Sequence, residues 1–131
     1  MATVPEKYLD LFETKVAYAS LATLMPDGTP QVTPVWFDYT NGLVRVNTAI
    51  GRTKARNMQE GAHVALAILD PNNAYRYVQV RGRVTKTTTD GADENIDALS
   101  HKYLGKPYPF RQPGEDRIII EITPDRITAS G

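Results

Sequence analysis

The chain has 131 residues, enough for one domain with a substantial core. Fifteen Lys and Arg balance fifteen Asp and Glu, so the net charge is zero, which disfavours a general nucleic-acid or membrane-surface binder. Cysteine is absent, which removes disulfides, thiolate metal sites and thiol nucleophiles and fits a reducing compartment.

A short helix is predicted at the start, where Thr3 and Glu6 have capping-box spacing, Pro5 suits a first turn, and Leu9, Leu11 and Phe12 form an apolar side. The opening "MATVPEKYLD" lacks the basic flank and apolar core of a signal peptide, and no apolar run approaches the roughly 18 residues that span a bilayer. The expectation is a soluble, cytoplasmic protein without a membrane partner. Strands follow at 16–24 and 30–39 across the turn Pro26-Asp27-Gly28, and Asn41-Gly42 joins the second to a strand over 43–49. A short helix runs from near Gly51 to Gly61. Then comes "HVALAILD" (63–70), apolar on both faces and expected to be buried on both. The turn "DPNN" leads to a long strand over 75–88, in which Val78, Val80, Gly82 and Val84 alternate with Gln79, Arg81 and Arg83, and Gly82 marks a bend or bulge. A helix over 93–105 carries Ile96, Leu99, Tyr103 and Leu104 on one face. The segment 106–116 is an irregular loop rich in Pro and aromatics. The final strand, 117–130, turns Ile118, Ile120 and Ile122 one way.

Six strands with tight turns predict an antiparallel meander that closes on itself to remove its edges. The fold class is therefore mainly β, a small barrel with peripheral helices, in one domain over 1–131. There is no repeat, low-complexity tract or linker.

Catalytic side chains are scarce. His63 and His101 lie on different elements without a partner at metal-ligand spacing, so no metal site is expected. No nucleophile elbow, dinucleotide fingerprint or P-loop is present. Asp90, Asp93, Glu94 and Asp97 suit the wet N-terminal face of a helix, where acids belong. Tyr75 and Tyr77 share one side of their strand, for packing or for stacking on a ligand. An enzyme of this composition needs a cofactor to supply its chemistry. The basic cluster Arg52, Lys54 and Arg56 shows where one would sit. It crowds the start of the short helix, where each cation costs about 0.3–1 kcal/mol against the dipole. Free amides there attract phosphate, and Arg52 and Lys54 would add charge-assisted contacts. The alternative is a solvated surface. The residues by themselves describe a small β-barrel that binds a phosphorylated ligand.

The blocks "YASLATLMPDGTPQVTPVWFDY", "VRVNTAIGRTKARNMQ", "YVQVRGRV" followed by a helix, and "IIIEITPDRI" resemble the pyridoxamine-phosphate-oxidase-like family of FMN-binding split β-barrels over nearly the whole chain. Within it the chain is most similar to small reductases that use coenzyme F-420, an 8-hydroxy-5-deazaflavin. The resemblance implies that Arg52 and Lys54 hold the cofactor phosphate with Arg56 in support, and that Asn47, Thr48 and Ala49 pass along the ring and its side chain. It also implies that Pro34, Val35 and Trp36 lie near the ring plane. Tyr77 would reach the cofactor of a partner subunit in a homodimer. The implied activity is hydride transfer between reduced deazaflavin and a small-molecule acceptor such as a conjugated enone. An FMN-dependent oxidoreductase and a non-catalytic binding or storage protein are the alternatives. Vitamin B6 oxidation is disfavoured, because the chain ends at "ITPDRITASG" without the longer C-terminal substrate motif of the authentic oxidases.

Overall fold

The computed structural model describes residues 1–131. Its first hairpin forms where turn chemistry demands it. Strands β1 (Ala19–Leu24) and β2 (Pro30–Val35) flank Pro26-Asp27-Gly28, with Gly28 at a φ of 85°. Asp27 Oδ1 accepts hydrogen bonds from the Thr29 amide (3.0 Å) and hydroxyl (2.6 Å), which locks the turn. The second hairpin, β3 (Asp38–Thr40) and β4 (Leu43–Ala49), closes on Asn41-Gly42, whose φ values of 53° and 78° are what a type I′ turn requires.

The strand expected over 30–39 is thus two strands, making seven rather than six. The break falls at Trp36-Phe37, because β2 pairs with β1 while β3 pairs with β4, on different sides of the sheet. Phe37 turns fully into the core, edge-on to Phe12 at 5.6 Å. The other elements are α1 (Leu9–Glu13), α2 (Thr53–Asn57), β5 (His63–Asp70), β6 (Asn73–Thr88), α3 (Ala92–Leu104) and β7 (Arg117–Ser130). A 3-10 turn over Glu6–Tyr8 leads into α1 and has no side-chain cap, so the Thr3–Glu6 capping box does not form. Burial of Leu11 and Phe12 holds this segment instead, with Leu9 packed at the edge of the core.

All seven strands form one antiparallel sheet in the order β2-β1-β5-β6-β7-β4-β3. The expected sequential meander is not observed. β5 lies beside β1, and β4 pairs with β7, placing Val44 opposite Ile122 and Ala49 opposite Arg117. β2 and β3 stand at opposite edges, yet only Trp36 and Phe37 join them. Three residue steps span at most about 11 Å, so the sheet must roll until its edges approach. The edges do not pair, and the barrel is split along that seam.

Val46, Leu66, Ile68, Val78, Val80 and Ile122 fill the interior, each contributing roughly 1.5–3 kcal/mol by burial. The β6 register shifts between Arg81 and Gly82, where a Cβ would collide with the Thr123 carbonyl oxygen. On β5, Val64, Leu66 and Ile68 are buried, but Ala65 and Ala67 are half-buried and Leu69 is exposed. The burial of both faces expected for this strand is therefore not met within one chain. A charged clamp ties α1 to the β5–β6 hairpin. Arg76 donates to Asp10 Oδ1 (2.6 Å) and Asp70 Oδ2 (2.9 Å), and Lys15 Nζ reaches Asp70 Oδ2 (3.1 Å). The Asn72 amide, with Arg76 and Lys15, holds the Asp70 carboxyl down at about 2 although burial opposes this.

α3 packs outside the barrel on β4 and β7, where Ile96, Leu99 and Tyr103 form a second small core with Trp36 and Tyr108. No helix is long and apolar enough to cross a membrane.

Candidate functional site

Strand alternation sorts the residues of β4. Val44, Val46 and Thr48 turn into the barrel, while Arg45 and Asn47 turn toward α3. The run Asn47-Thr48-Ala49 therefore does not act as one surface. Thr48 is buried, its hydroxyl without a hydrogen-bond partner, and Ala49 is buried as well. Asn47 Nδ2 donates to the Ala92 carbonyl (2.8 Å) and to Asn95 Oδ1 (3.0 Å), while its Oδ1 accepts from Arg117 Nε (2.9 Å). Asn95 in turn donates to Asp38 Oδ2 (2.9 Å). Asn47 thus docks the N-terminal turn of α3 and aims Arg117.

Arg117 opens β7 with its side chain only 3% exposed. Its Nη1 donates to Glu115 Oε1 at 2.6 Å, and its guanidinium lies over the Tyr108 ring at 5.1 Å. Sequence reasoning missed it. The available signal was a basic residue at the head of the isoleucine-rich run "RIIIEI".

α2 is shorter than predicted, Thr53–Asn57 rather than 51–61, and Arg52 caps it in an extended conformation. A single turn aligns few peptides, so its dipole is small, and Lys54 and Arg56 fall in the last turn, where cations are tolerated. The helix-dipole cost expected from the sequence is therefore not present. What remains is a cluster of side chains. Arg52 Nη2 meets Glu115 Oε1 at 3.2 Å. Lys54 makes no ion pair; burial, then the Arg52 and Arg117 charges, hold its pKa below the usual lysine range. Arg56 donates to the Gly51 carbonyl (2.9 Å) and to Thr53 Oγ1 (3.4 Å), bracing its own turn.

A cavity of about 280 Å3 brings together Pro34, Val35, Trp36, Asn47, Arg52 and Lys54 from the predicted set. Thr48, Ala49, Arg56 and Tyr77 do not line it; Tyr77 is exposed on the outward side of β6 opposite Leu69. Six residues not foreseen complete the lining: Tyr18, Ile96, Leu99, Tyr108, Phe110 and Arg117. Trp36 stacks on Tyr103 (5.3 Å, 6°) and meets Tyr108 edge-on (6.1 Å), and Tyr108 meets Phe110 edge-on (5.7 Å). The Tyr103 hydroxyl donates to the Ala17 carbonyl (2.6 Å), and burial pushes its pKa up to about 12. The result is an aromatic wall and three cations facing one space, suited to a flat ring carrying an anionic tail. A larger hollow of about 450 Å3 lies across β1, β5, β6 and β7, lined by Ala22, Leu24, Ala65 and Arg81 among others. It has no aromatic wall, and none of the predicted site residues lines it.

A family model described as pyridoxamine 5'-phosphate oxidase matches residues 4–131. Among solved structures, the chain is similar to a protein described as an F420 reductase, with 36% identity and a TM-score of 0.82 over 95% of this chain and 98% of that one. It is also similar to a conserved hypothetical protein from Mycobacterium tuberculosis, with 21% identity and a TM-score of 0.71 over 98% and 85% of the two chains. An FAD and haem binding protein from Mycobacterium smegmatis is 18% identical with a TM-score of 0.70, over 98% of this chain and 71% of that one. The last two likenesses are of fold alone. No curated protein matches the chain.

Proposed function

The chain belongs to the pyridoxamine 5'-phosphate oxidase family, and from that premise we propose that it is an oxidoreductase that uses coenzyme F-420 to reduce a small organic acceptor. The observation that carries this reading is the surplus of positive charge in an aromatic-walled cavity: Arg52, Lys54 and Arg117 against the single carboxylate of Glu115. The 36% identity to a protein described as an F420 reductase supports the choice of deazaflavin. When bound, the deazaflavin would supply a hydride to a conjugated acceptor. Arg52 and Lys54, joined by Arg117, would hold its phosphate through charge-assisted hydrogen bonds, each worth roughly 1.5–3 kcal/mol. Asn47 would keep Arg117 aimed. Pro34, Val35 and Trp36 would border the ring, and Tyr108 and Phe110 would keep water from it.

The cavity sits at the lower edge of the roughly 300–1,000 Å3 typical of small-molecule sites, at about 280 Å3 within one chain. That size supports a site completed by a second copy. Half-buried Ala65 and Ala67 and exposed Leu69 and Tyr77 share the outward sheet face and would be covered in a homodimer, with Tyr77 reaching the partner's cofactor. Light scattering over a dilution series checks this; a monomer that binds cofactor at full strength would count against the shared site.

The decisive experiment titrates coenzyme F-420 and FMN separately against the protein and follows hydride transfer to a panel of conjugated acceptors. F-420 is expected to bind more tightly and to turn over. Tight FMN without F-420 binding would move the protein to an FMN-dependent reaction on the same barrel. Binding without turnover of any acceptor would make it a cofactor-binding or storage protein.

A further inference from the structure

The loop 106–116 crosses the cavity and is fastened at both ends by different chemistry. Near α3, Asp97 accepts from the Tyr108 amide (3.0 Å) and from Arg111 Nη2 (3.0 Å), and Ser100 Oγ donates to the Lys106 carbonyl (2.7 Å). None of these contacts involves the cavity's cations. At the other end stands Glu115, its side chain only 7% exposed. Its Oε1 accepts from Arg117 (2.6 Å) and Arg52 (3.2 Å), and its Oε2 accepts from the Gln112 amide (3.1 Å). The carboxylate thus lies on the same two guanidinium groups that a ligand's phosphate would take.

We propose that Glu115 is the site's internal counter-anion, which competes with the ligand's phosphate for Arg52 and so sets how tightly the site holds a phosphorylated ligand. The inference rests on reading the Arg52–Lys54–Arg117 cluster as a phosphate site. Three cations around one half-buried space repel one another; the Lys54 pKa, lowered first by burial, is lowered further by the Arg52 and Arg117 charges. Glu115 removes one of those charges in the empty site. An arriving phosphate then meets a smaller positive field, and must displace the longer of Glu115's two ion pairs, the one to the partly exposed Arg52. The contact to Arg117 is shorter, and both of its partners are buried, so it survives and keeps Arg117 in place. Ligand occupancy is thereby coupled to the position of residues 112–116, while the Asp97 end of the loop stays fixed as an anchor.

The test measures dissociation constants for coenzyme F-420 and for 8-hydroxy-5-deazariboflavin, the same ring system without phosphate, on the parent, Glu115→Gln and Arg52→Ala. Removing one negative charge several ångströms from the phosphate should tighten F-420 about three- to tenfold in Glu115→Gln. The phosphate-free ring should bind that variant as it binds the parent, because the carboxylate acts on charge and not on the ring. If Glu115→Gln binds F-420 equally or more weakly while Arg52→Ala binds it more weakly, Glu115 only positions its arginines and the inference fails with the phosphate site intact. If neither variant alters F-420 binding, the phosphate site fails too. If both ligands tighten together, the effect is loosening of the loop, and the counter-anion role is again overturned. Should Glu115→Gln not fold, Glu115→Ser removes the same charge, leaves room for water at Arg117, and reads the same quantity.

Discussion

The clamp of Asp10, Lys15, Asp70 and Arg76 and the cluster of Arg52, Lys54, Glu115 and Arg117 each bring four ionisable side chains together, and only the first balances. Two carboxylates meet two cations in the clamp, with every group in an ion pair of 3.1 Å or less. One carboxylate meets three cations at the cavity, and Lys54 has no partner. A balanced cluster satisfies itself and holds two elements together. An unbalanced one carries repulsion that a ligand can relieve, and burial near aromatic rings makes that relief larger. Charge count, not charge density, separates the structural cluster from the one proposed to hold a phosphate.

Arg117→Ala should show the largest effect, because Arg117 belongs to both kinds of chemistry. It would leave the buried Glu115 carboxylate with only the longer Arg52 contact and the Gln112 amide, and would free Asn47, lowering apo stability by about 3 kcal/mol in urea denaturation, and it would weaken cofactor binding more than about tenfold. Arg52→Ala and Lys54→Ala should each weaken cofactor binding by about tenfold, or 1.4 kcal/mol. Their apo melting temperatures should hold or rise slightly, since each removes a repelling charge; a marked fall would show that the cluster supports the fold as the clamp does. Arg76→Ala should do the reverse, lowering the melting temperature by about 5 °C or more with cofactor affinity unchanged. The smallest effects concern pH. The Asp70 carboxyl is held at about 2 and that of Asp10 is also lowered, so their stabilisation is complete above the ordinary carboxylate range and lost as pH falls toward 2. Melting temperature should therefore drop between about pH 4 and 2. Lys54 titrates from the other side. Its lowered pKa means that cofactor affinity should weaken in alkaline solution earlier than an ordinary lysine would dictate.

The local parts of this comparison were legible in the sequence, and the long-range parts were not. Asn41-Gly42 and Pro26-Asp27-Gly28 specify their turns through positive φ, so both hairpins follow from short-range chemistry. The alternation of Val78, Val80 and Val84 with Gln79, Arg81 and Arg83 likewise fixes which side of β6 faces inward. Nothing local distinguishes Trp36-Phe37 from continued strand, because the break is imposed by two different pairing partners. Arg52 and Lys54 stood out as a dense run of charge. Arg117, Tyr18, Tyr108 and Phe110 come from three other segments and meet them only after β4 pairs with β7 and the loop folds over α3. The side chains of Asn47 and Thr48 part for a simpler reason: neighbouring residues on a strand point to opposite faces, so Thr48 is buried in the barrel while Asn47 lines the cavity.

The strand order also bears on how fast the chain can reach this structure. The hairpins β1–β2, β3–β4 and β5–β6 can form early, each within its own stretch of chain. Neither barrel nor cavity exists until β7 slots between β6 and β4, pairing Val44 with Ile122 across most of the polypeptide. Such closure must overcome loop entropy before any contact rewards it, which places folding on the order of milliseconds to seconds rather than microseconds. Until then the unpaired edges of β4 and β6 are open to other chains, so refolding yield should fall as protein concentration rises.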